Sequence, residues 1–170
     1  QTIVLHQVLT PEYAKYDARE WYWLGNMAPV RNMLAIWHTS KARSVADARN
    51  VEVVIGATGP SSPTYIVPNI LNKFVGTKFK IVTGYPGGNN VTMAMEKGEV
   101  DARFGWSWGS LKSRSKSWLD EKKVNIIVQM ALEKAPDLPD VPLIMDFAKT
   151  DLDRKALELL FSSQVMAWPL

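Results

Sequence analysis

The chain has 170 residues, 46% of them hydrophobic and 22% charged, with a formal net charge of +3. That composition excludes a disordered or fibrous chain and supplies apolar material for one core or one large lobe. There is no cysteine, which excludes disulfides and thiolate metal sites, and no run approaches the ~18 apolar residues of a membrane-spanning helix. The chain begins at Gln1, ahead of the apolar run Ile3-Val4-Leu5, with neither an initiator Met nor a signal-peptide pattern. It is therefore expected to be a processed or truncated chain.

In chain order, Thr2 to Val8 reads as a strand, and a polar segment from Thr10 to Arg19 leads into the aromatic cluster Trp21-Tyr22-Trp23. Asn32 to Trp37 is a second apolar strand. Ser44 to Ala48 has the pattern of a short helix capped by Ser44, with Asp47 completing a capping-box-like pair. The strand at Val53 ends in the turn Gly56-Ala57-Thr58-Gly59-Pro60-Ser61-Ser62-Pro63-Thr64. Proline is tolerated only in a first helical turn, so Pro68 predicts a helix starting near Thr64 as its N-cap and stopping at Gly76.

Lys78 to Val82 is the next strand, ending in Gly84-Tyr85-Pro86-Gly87-Gly88-Asn89-Asn90. A helix of about two turns from Asn90 to Lys97 follows, with Val91, Ala94 and Met95 on one side and Gly98 at its end. Asp101 to Trp108 and Asn125 to Met130 read as strands, with one helix-like segment, Ser110 to Lys122, between them. Strands alternating with helices predict a three-layer α/β fold with a mostly parallel sheet. Leu138-Pro139-Asp140-Val141-Pro142 is a linker, and Asp151 to Val165 a terminal amphipathic helix.

Two strand-to-helix turns thus place backbone N–H groups at strand C-terminal ends, where α/β folds bind anions. A carboxylate at the first would meet the hydroxyls of Ser61, Ser62 and Thr64. At the second, Gly87 and Gly88 allow close backbone approach, and Asn89 or Asn90 can cap the helix or donate an amide. The same residue types are also ordinary components of turns and caps. Trp106 and Trp108 flank Ser107 at a strand end, either as covers for the sheet or as cleft walls. An aromatic wall would suit a ligand with an apolar or ring-shaped body.

The order of several stretches resembles the substrate-binding receptors of tripartite tricarboxylate transporters, the TctC or Bug family. The stretches are Tyr16-Asp17, Trp23-Leu24-Gly25-Asn26-Met27, Ile55-Gly56-Ala57-Thr58-Gly59, Gly76-Thr77-Lys78-Phe79-Lys80, Gly84-Tyr85-Pro86-Gly87-Gly88, Glu96-Lys97-Gly98-Glu99-Val100-Asp101 and Pro136-Asp137-Leu138-Pro139-Asp140-Val141-Pro142. Together they cover roughly residues 13 to 148. The resemblance implies a lobe of a type II periplasmic binding protein, in a chain that lacks the family's N-terminal lobe. Residues 1–22 would be a strand and crossover from that first lobe, 23–124 the second, ligand-binding lobe, and 125–170 the return crossover and a terminal helix.

The resemblance further implies a periplasmic protein, not an enzyme and needing no cofactor or metal. It would capture a small organic acid and deliver it to the membrane components of the transporter. A carboxylate-sensing component, or an enzyme acting on a small carboxylate, is the alternative. The ligand-binding role carries over to Thr58, Gly59, Ser61, Ser62, Thr64, Tyr85, Gly87, Gly88 and Asn89, with Trp106 as a candidate wall.

Catalytic chemistries lack their parts. His6 and His38 have no metal-ligand spacing, and Glu96, Glu99 and Asp101 flank Gly98, where solvated charge is commonplace. The glycine-rich turn matches no nucleotide signature. Lys112-Ser113-Arg114-Ser115-Lys116 is basic, but Asp120 and Glu121 follow, as on a solvated helix face, so no nucleic acid is expected. With a first lobe missing, Ile3 to Leu5, Ile126 to Val128 and the helix bearing Leu157, Leu160 and Phe161 would be partly uncovered. Such segments pair with another copy, and a homodimer is expected.

Overall fold

Period-two apolar runs alternate with capped amphipathic segments to give five strands and six α-helices among the described residues. In this computed structural model those residues are 7, 12, 14–25 and 30–165. In chain order the elements are β1 (Asn32–Trp37), α1 (Val45–Asn50), β2 (Val53–Gly56), α2 (Pro63–Val75), β3 (Phe79–Val82) and α3 (Gly88–Glu96). They continue with β4 (Ala102–Ser107), α4 (Trp108–Arg114), α5 (Lys116–Asp120), β5 (Val124–Met130) and α6 (Asp151–Val165). Of the strand expected from Thr2 to Val8 only Gln7 is described, and it is helical rather than extended; the rest lies outside the described residues.

The sheet runs in the order β3-β2-β4-β1-β5. β2 pairs in parallel with both β3 and β4, while β1 is antiparallel to its neighbours β4 and β5. Four of the five strands therefore share one direction, as the strand-helix alternation predicts. β5, which the family resemblance assigns to the return crossover, is one of the two edge strands of this same sheet.

Both faces are covered. Along β1, Leu34 and Ile36 join one apolar cluster, and Met33, Ala35 and Trp37 join the other, as period-two alternation requires. The first face packs against Val45 and Ala48 of α1, Val67, Leu71 and Val75 of α2, and Leu157 and Phe161 of α6. The second packs against Val91, Ala94 and Met95 of α3 and Leu111 of α4, with Trp118 and Leu119 of α5 beside them. This is the three-layer arrangement of an α/β fold.

Local chemistry corrects several boundaries. α2 starts at Pro63 with Ser62 as N-cap, not at Thr64, because Pro63 takes the first helical position that proline favours. Pro68 consequently lies inside the helix, where its ring is buried in the core. Gly76 does end the helix, in a left-handed conformation (φ +78°), with its N–H on the Leu71 carbonyl at 3.1 Å. α3 begins two residues early, at Gly88, so Asn89 and Asn90 lie within its first turn rather than capping it. The helix expected from Ser110 to Lys122 is two short helices that break at Ser115. Ser44 caps α1 as expected, accepting from the Asp47 N–H at 3.1 Å.

The segments expected to be exposed are largely packed. Ile127 (3%), Val128 (0%), Leu157 (2%) and Phe161 (2%) are buried, and Ile126 and Leu160 pack partly against the core. α6 covers its own sheet, which removes the part of the ground for a homodimer that rested on these segments. Ile3 to Leu5 lie outside the described residues.

Candidate functional site

The C-terminal ends of β2 and β4, the start of β1 and the first turns of α2 and α3 meet around an open cleft of about 490 Å³. This is the edge at which α/β sheets hold ligands. Of the residues singled out from sequence, Thr58, Ser62, Thr64, Asn89 and Trp106 line it. Gly59, Ser61, Tyr85, Gly87 and Gly88 do not, and each has a different place.

The first turn closes on itself. The Ser62 hydroxyl donates to the Gly59 carbonyl at 2.8 Å and lies 2.6 Å from the Thr64 hydroxyl, which is 3.2 Å from that of Thr58. The Thr58 N–H also donates to Thr64 Oγ1, at 3.0 Å. A hydroxyl carries one proton. With the Ser62 proton on Gly59, Thr64 must donate to Ser62 and Thr58 to Thr64. All three protons are then engaged within the turn, and an arriving carboxylate meets lone pairs unless a hydroxyl rotates. Gly59 serves as the acceptor that locks the turn, and Ser61 is exposed outside the cleft.

The second turn works through backbone shape. Tyr85 sits between β2 and α3, its N–H on the Ala57 carbonyl at 3.3 Å and its hydroxyl pKa raised by burial. Gly87 is the N-cap of α3 in extended backbone, and a Cβ there would have ordinary room. Gly88 has none: a Cβ would lie 2.8 Å from Arg103 Cζ and 3.3 Å from Arg103 Nε. The missing side chain is the space that the guanidinium occupies.

Arg103, on β4, was not among the residues chosen from sequence. Its guanidinium lies 4.7 Å from the centroid of the Trp106 ring, and its Nη1 donates to Thr92 Oγ1, which in turn donates to the Gly88 carbonyl at 3.1 Å. Strict alternation would put residues 103 and 106 on opposite faces. The register slips between Met33 and Leu34, which pair with Trp106 and Phe104, leaving Gly105 as an extra residue at φ +78°. This glycine bulge turns Trp106 onto the same face as Arg103.

The resulting electrostatics are unbalanced. Among the described residues Arg103 makes no ion pair, and its Nε is buried without a hydrogen-bond partner. Burial holds its pKa down to about 10, so it remains a cation at neutral pH. Arg114 also lines the cleft, and no acidic residue does. The other lining residues missed from sequence are the polar Asn32, Thr92, Ser107, Ser110 and Ser115 together with Val30, Pro63, Phe104 and Gly105. The signal available for Arg103 was the stretch Arg103-Phe104-Gly105-Trp106, in which a glycine interrupts a strand.

The remaining sequence candidates have structural explanations. Trp108 does not line the cleft; its indole N–H donates to Asp137 at 2.8 Å. Asp101 accepts the Val54 N–H at 2.9 Å, tying β4 to β2. His38 follows β1 and packs 5.2 Å from the Trp37 ring, while His6 lies outside the described residues. In the basic stretch, Lys112 pairs with Asp137 at 2.7 Å and Lys116 with Asp120 at 2.6 Å. No group of acidic and histidine side chains that could hold a metal occurs among the described residues, and no helix there is long and apolar enough to cross a membrane.

No protein-family profile matches the chain, and no curated protein sequence does. Solved structures do. MatC from Rhodopseudomonas palustris with bound malate is 16% identical, with a TM-score of 0.59 over 96% of this chain and 61% of its own. An R. palustris protein with adipate is 15% identical, with a TM-score of 0.56 over 81% of this chain and 50% of its own. A TctC solute binding protein from Polaromonas is 12% identical, with a TM-score of 0.55 over 82% of this chain and 53% of its own. The chain spans about half the length of these proteins, and it has the fold of TctC-type periplasmic binding proteins.

Proposed function

We propose that this chain binds a small organic acid as part of an extracytoplasmic solute-binding protein that delivers its ligand to a tripartite tricarboxylate transporter. The observation that carries this reading is Arg103, a cation lining a polar cleft that no carboxylate of the described chain neutralises. A buried charge is costly unless it is paired, and a ligand carboxylate supplies the missing partner through a charge-assisted hydrogen bond. The fold shared with proteins solved with malate and adipate supports the same ligand class, as does a cleft at the strand C-terminal edge. A periplasmic location and a partnership with membrane components follow from that reading.

The test is binding by the 170-residue chain, measured by calorimetry with malate and adipate, alongside native mass spectrometry of the protein as purified. The expected result is saturable one-to-one binding of at least one acid, or a retained organic acid in the mass spectrum. Absence of both at millimolar ligand would overturn the reading.

A further inference from the structure

The two aromatic side chains at the cleft, Phe104 and Trp106, are 2% and 5% exposed. Phe104 belongs to the core on the α2 face of the sheet. The Trp106 ring lies against the Arg103 guanidinium at 4.7 Å and packs T-shaped with Trp118 at 5.8 Å. Neither ring therefore presents a free face to a ligand. An aromatic wall, one of the roles its sequence position offers Trp106, is replaced by a different one.

Arg103 is held on three sides. The Trp106 ring supports its face, Thr92 accepts from Nη1, and Gly88 provides the gap in which the guanidinium sits. Thr92 is itself fixed to the Gly88 carbonyl, so the residues form one connected seat. Nε is buried without a partner, and the two N–H groups of Nη2, which are not buried, also have no partner in the protein.

Building on the carboxylate-binding reading above, we propose that Trp106 and Gly88 are positioning residues that act through Arg103. They fix the guanidinium so that the N–H groups of Nη2 meet the ligand's carboxylate. Because the Trp106 face is already occupied by the cation, the site takes carboxylates with aliphatic or hydroxylated bodies, which the surrounding Ser107, Ser110 and Asn32 side chains can meet, and discriminates against aryl carboxylates that need a ring to stack on.

The experiment compares malate, adipate and benzoate binding by calorimetry for the wild-type chain and for R103Q, W106L, W106F, G88A and the R103Q/W106L double variant. Benzoate should bind on the order of tenfold more weakly than the better of the two aliphatic acids, as expected when stacking is lost. R103Q, W106L and G88A should each weaken that acid by roughly tenfold or more, the scale of a lost charge-assisted hydrogen bond. W106F keeps a ring face under the guanidinium and should retain most of the affinity.

The double variant separates positioning from packing: if Trp106 acts through Arg103, it binds no more weakly than R103Q alone. Full additivity of the two losses would overturn the positioning role of Trp106. G88A gives an independent test should W106L fail to fold, since alanine favours the helix that glycine begins. Wild-type affinity in G88A would overturn the seat, and benzoate binding as tightly as the aliphatic acid would overturn the selectivity. Wild-type protein that binds no carboxylate removes the functional reading and this inference together, whereas binding that survives every substitution removes the inference alone.

Discussion

The two strand-to-helix turns look alike in sequence, each a run of small and polar residues after an apolar strand, yet they do opposite things. The turn after β2 is closed: its three hydroxyls and the Gly59 carbonyl satisfy one another. The turn after β3 is incomplete, because Gly88 leaves a gap and the gap is filled from elsewhere, by Arg103 of β4. The first turn gives the cleft a rigid wall and the second gives it a charge. Polar residues at a strand end are thus not equivalent evidence of a ligand site. What distinguishes them is whether their hydrogen-bonding capacity is already used.

Each turn has one glycine that a neighbour presses on, and substituting both would sharpen the contrast most. At Gly56, the end of β2, an added Cβ would lie 2.6 Å from Val91 Cγ1, and Val91 is 1% exposed in the core. A β-branched side chain in a packed site cannot turn away, so G56A should destabilise the fold by about 1–3 kcal/mol, the usual cost of overpacking. At Gly88 the obstacle is the far end of a flexible arginine, which can move. G88A should leave the melting temperature unchanged or slightly raised while weakening ligand binding. Chemical denaturation of the two variants side by side checks this; a destabilised G88A with intact binding would erase the distinction between the turns.

A second substitution tests whether the first turn is a lock or a binding element. Thr64→Val preserves shape but removes the acceptor of the Thr58 N–H and the centre of the hydroxyl chain. Leaving that N–H without a partner should cost about 1–2 kcal/mol of stability. Affinity for an organic acid should change by less than about threefold, well under the tenfold scale of a lost ligand hydrogen bond. If stability holds and binding collapses instead, the hydroxyls rotate to serve the ligand and the turn is the second half of the site.

These contrasts also mark what could be read from the sequence. Binary patterning located β1, β2, β3, the C-terminal end of α2 at Gly76 and the apolar face of α3, because each follows from a local period or a conformational preference of glycine. Five of the ten residues expected at the ligand site do line the cleft. Arg103 escaped because its importance depends on non-local facts: the sheet order that sets β4 beside β2, the bulge at Gly105 that brings Trp106 to its side, and the gap at Gly88 on another element. Similarly, exposure of Leu157 and Phe161 was expected from a missing lobe, whereas the packing of α6 on its own sheet is a tertiary outcome that no window of sequence contains.

The smallest predicted effect separates the two tryptophans that flank Ser107. Trp106 faces the arginine seat, while Trp108 and Lys112 both bind Asp137, tying α4 to the loop before Leu138. The Lys112 hydrogen bond, then that of the Trp108 indole, holds the Asp137 carboxyl below the ordinary aspartate value of 3.8. A depressed folded-state pKa means that this contribution is present above 3.8 and is lost as the pH falls further, through the folded-state value. Lys112 and Asp137 are both about half exposed, at 50% and 45%, so screening by solvent limits the effect. D137N should cost no more than about 1 kcal/mol at neutral pH, shrink that cost in high salt, and have no effect once the wild-type carboxyl is itself protonated. Binding of malate or adipate should be untouched, because Trp108 does not line the cleft. Unfolding curves of wild-type and D137N protein from neutral to strongly acid pH measure the first part, and calorimetry the second. A D137N variant that loses affinity would tie the Trp108 side of α4 to the ligand and extend the site beyond the seat of Arg103.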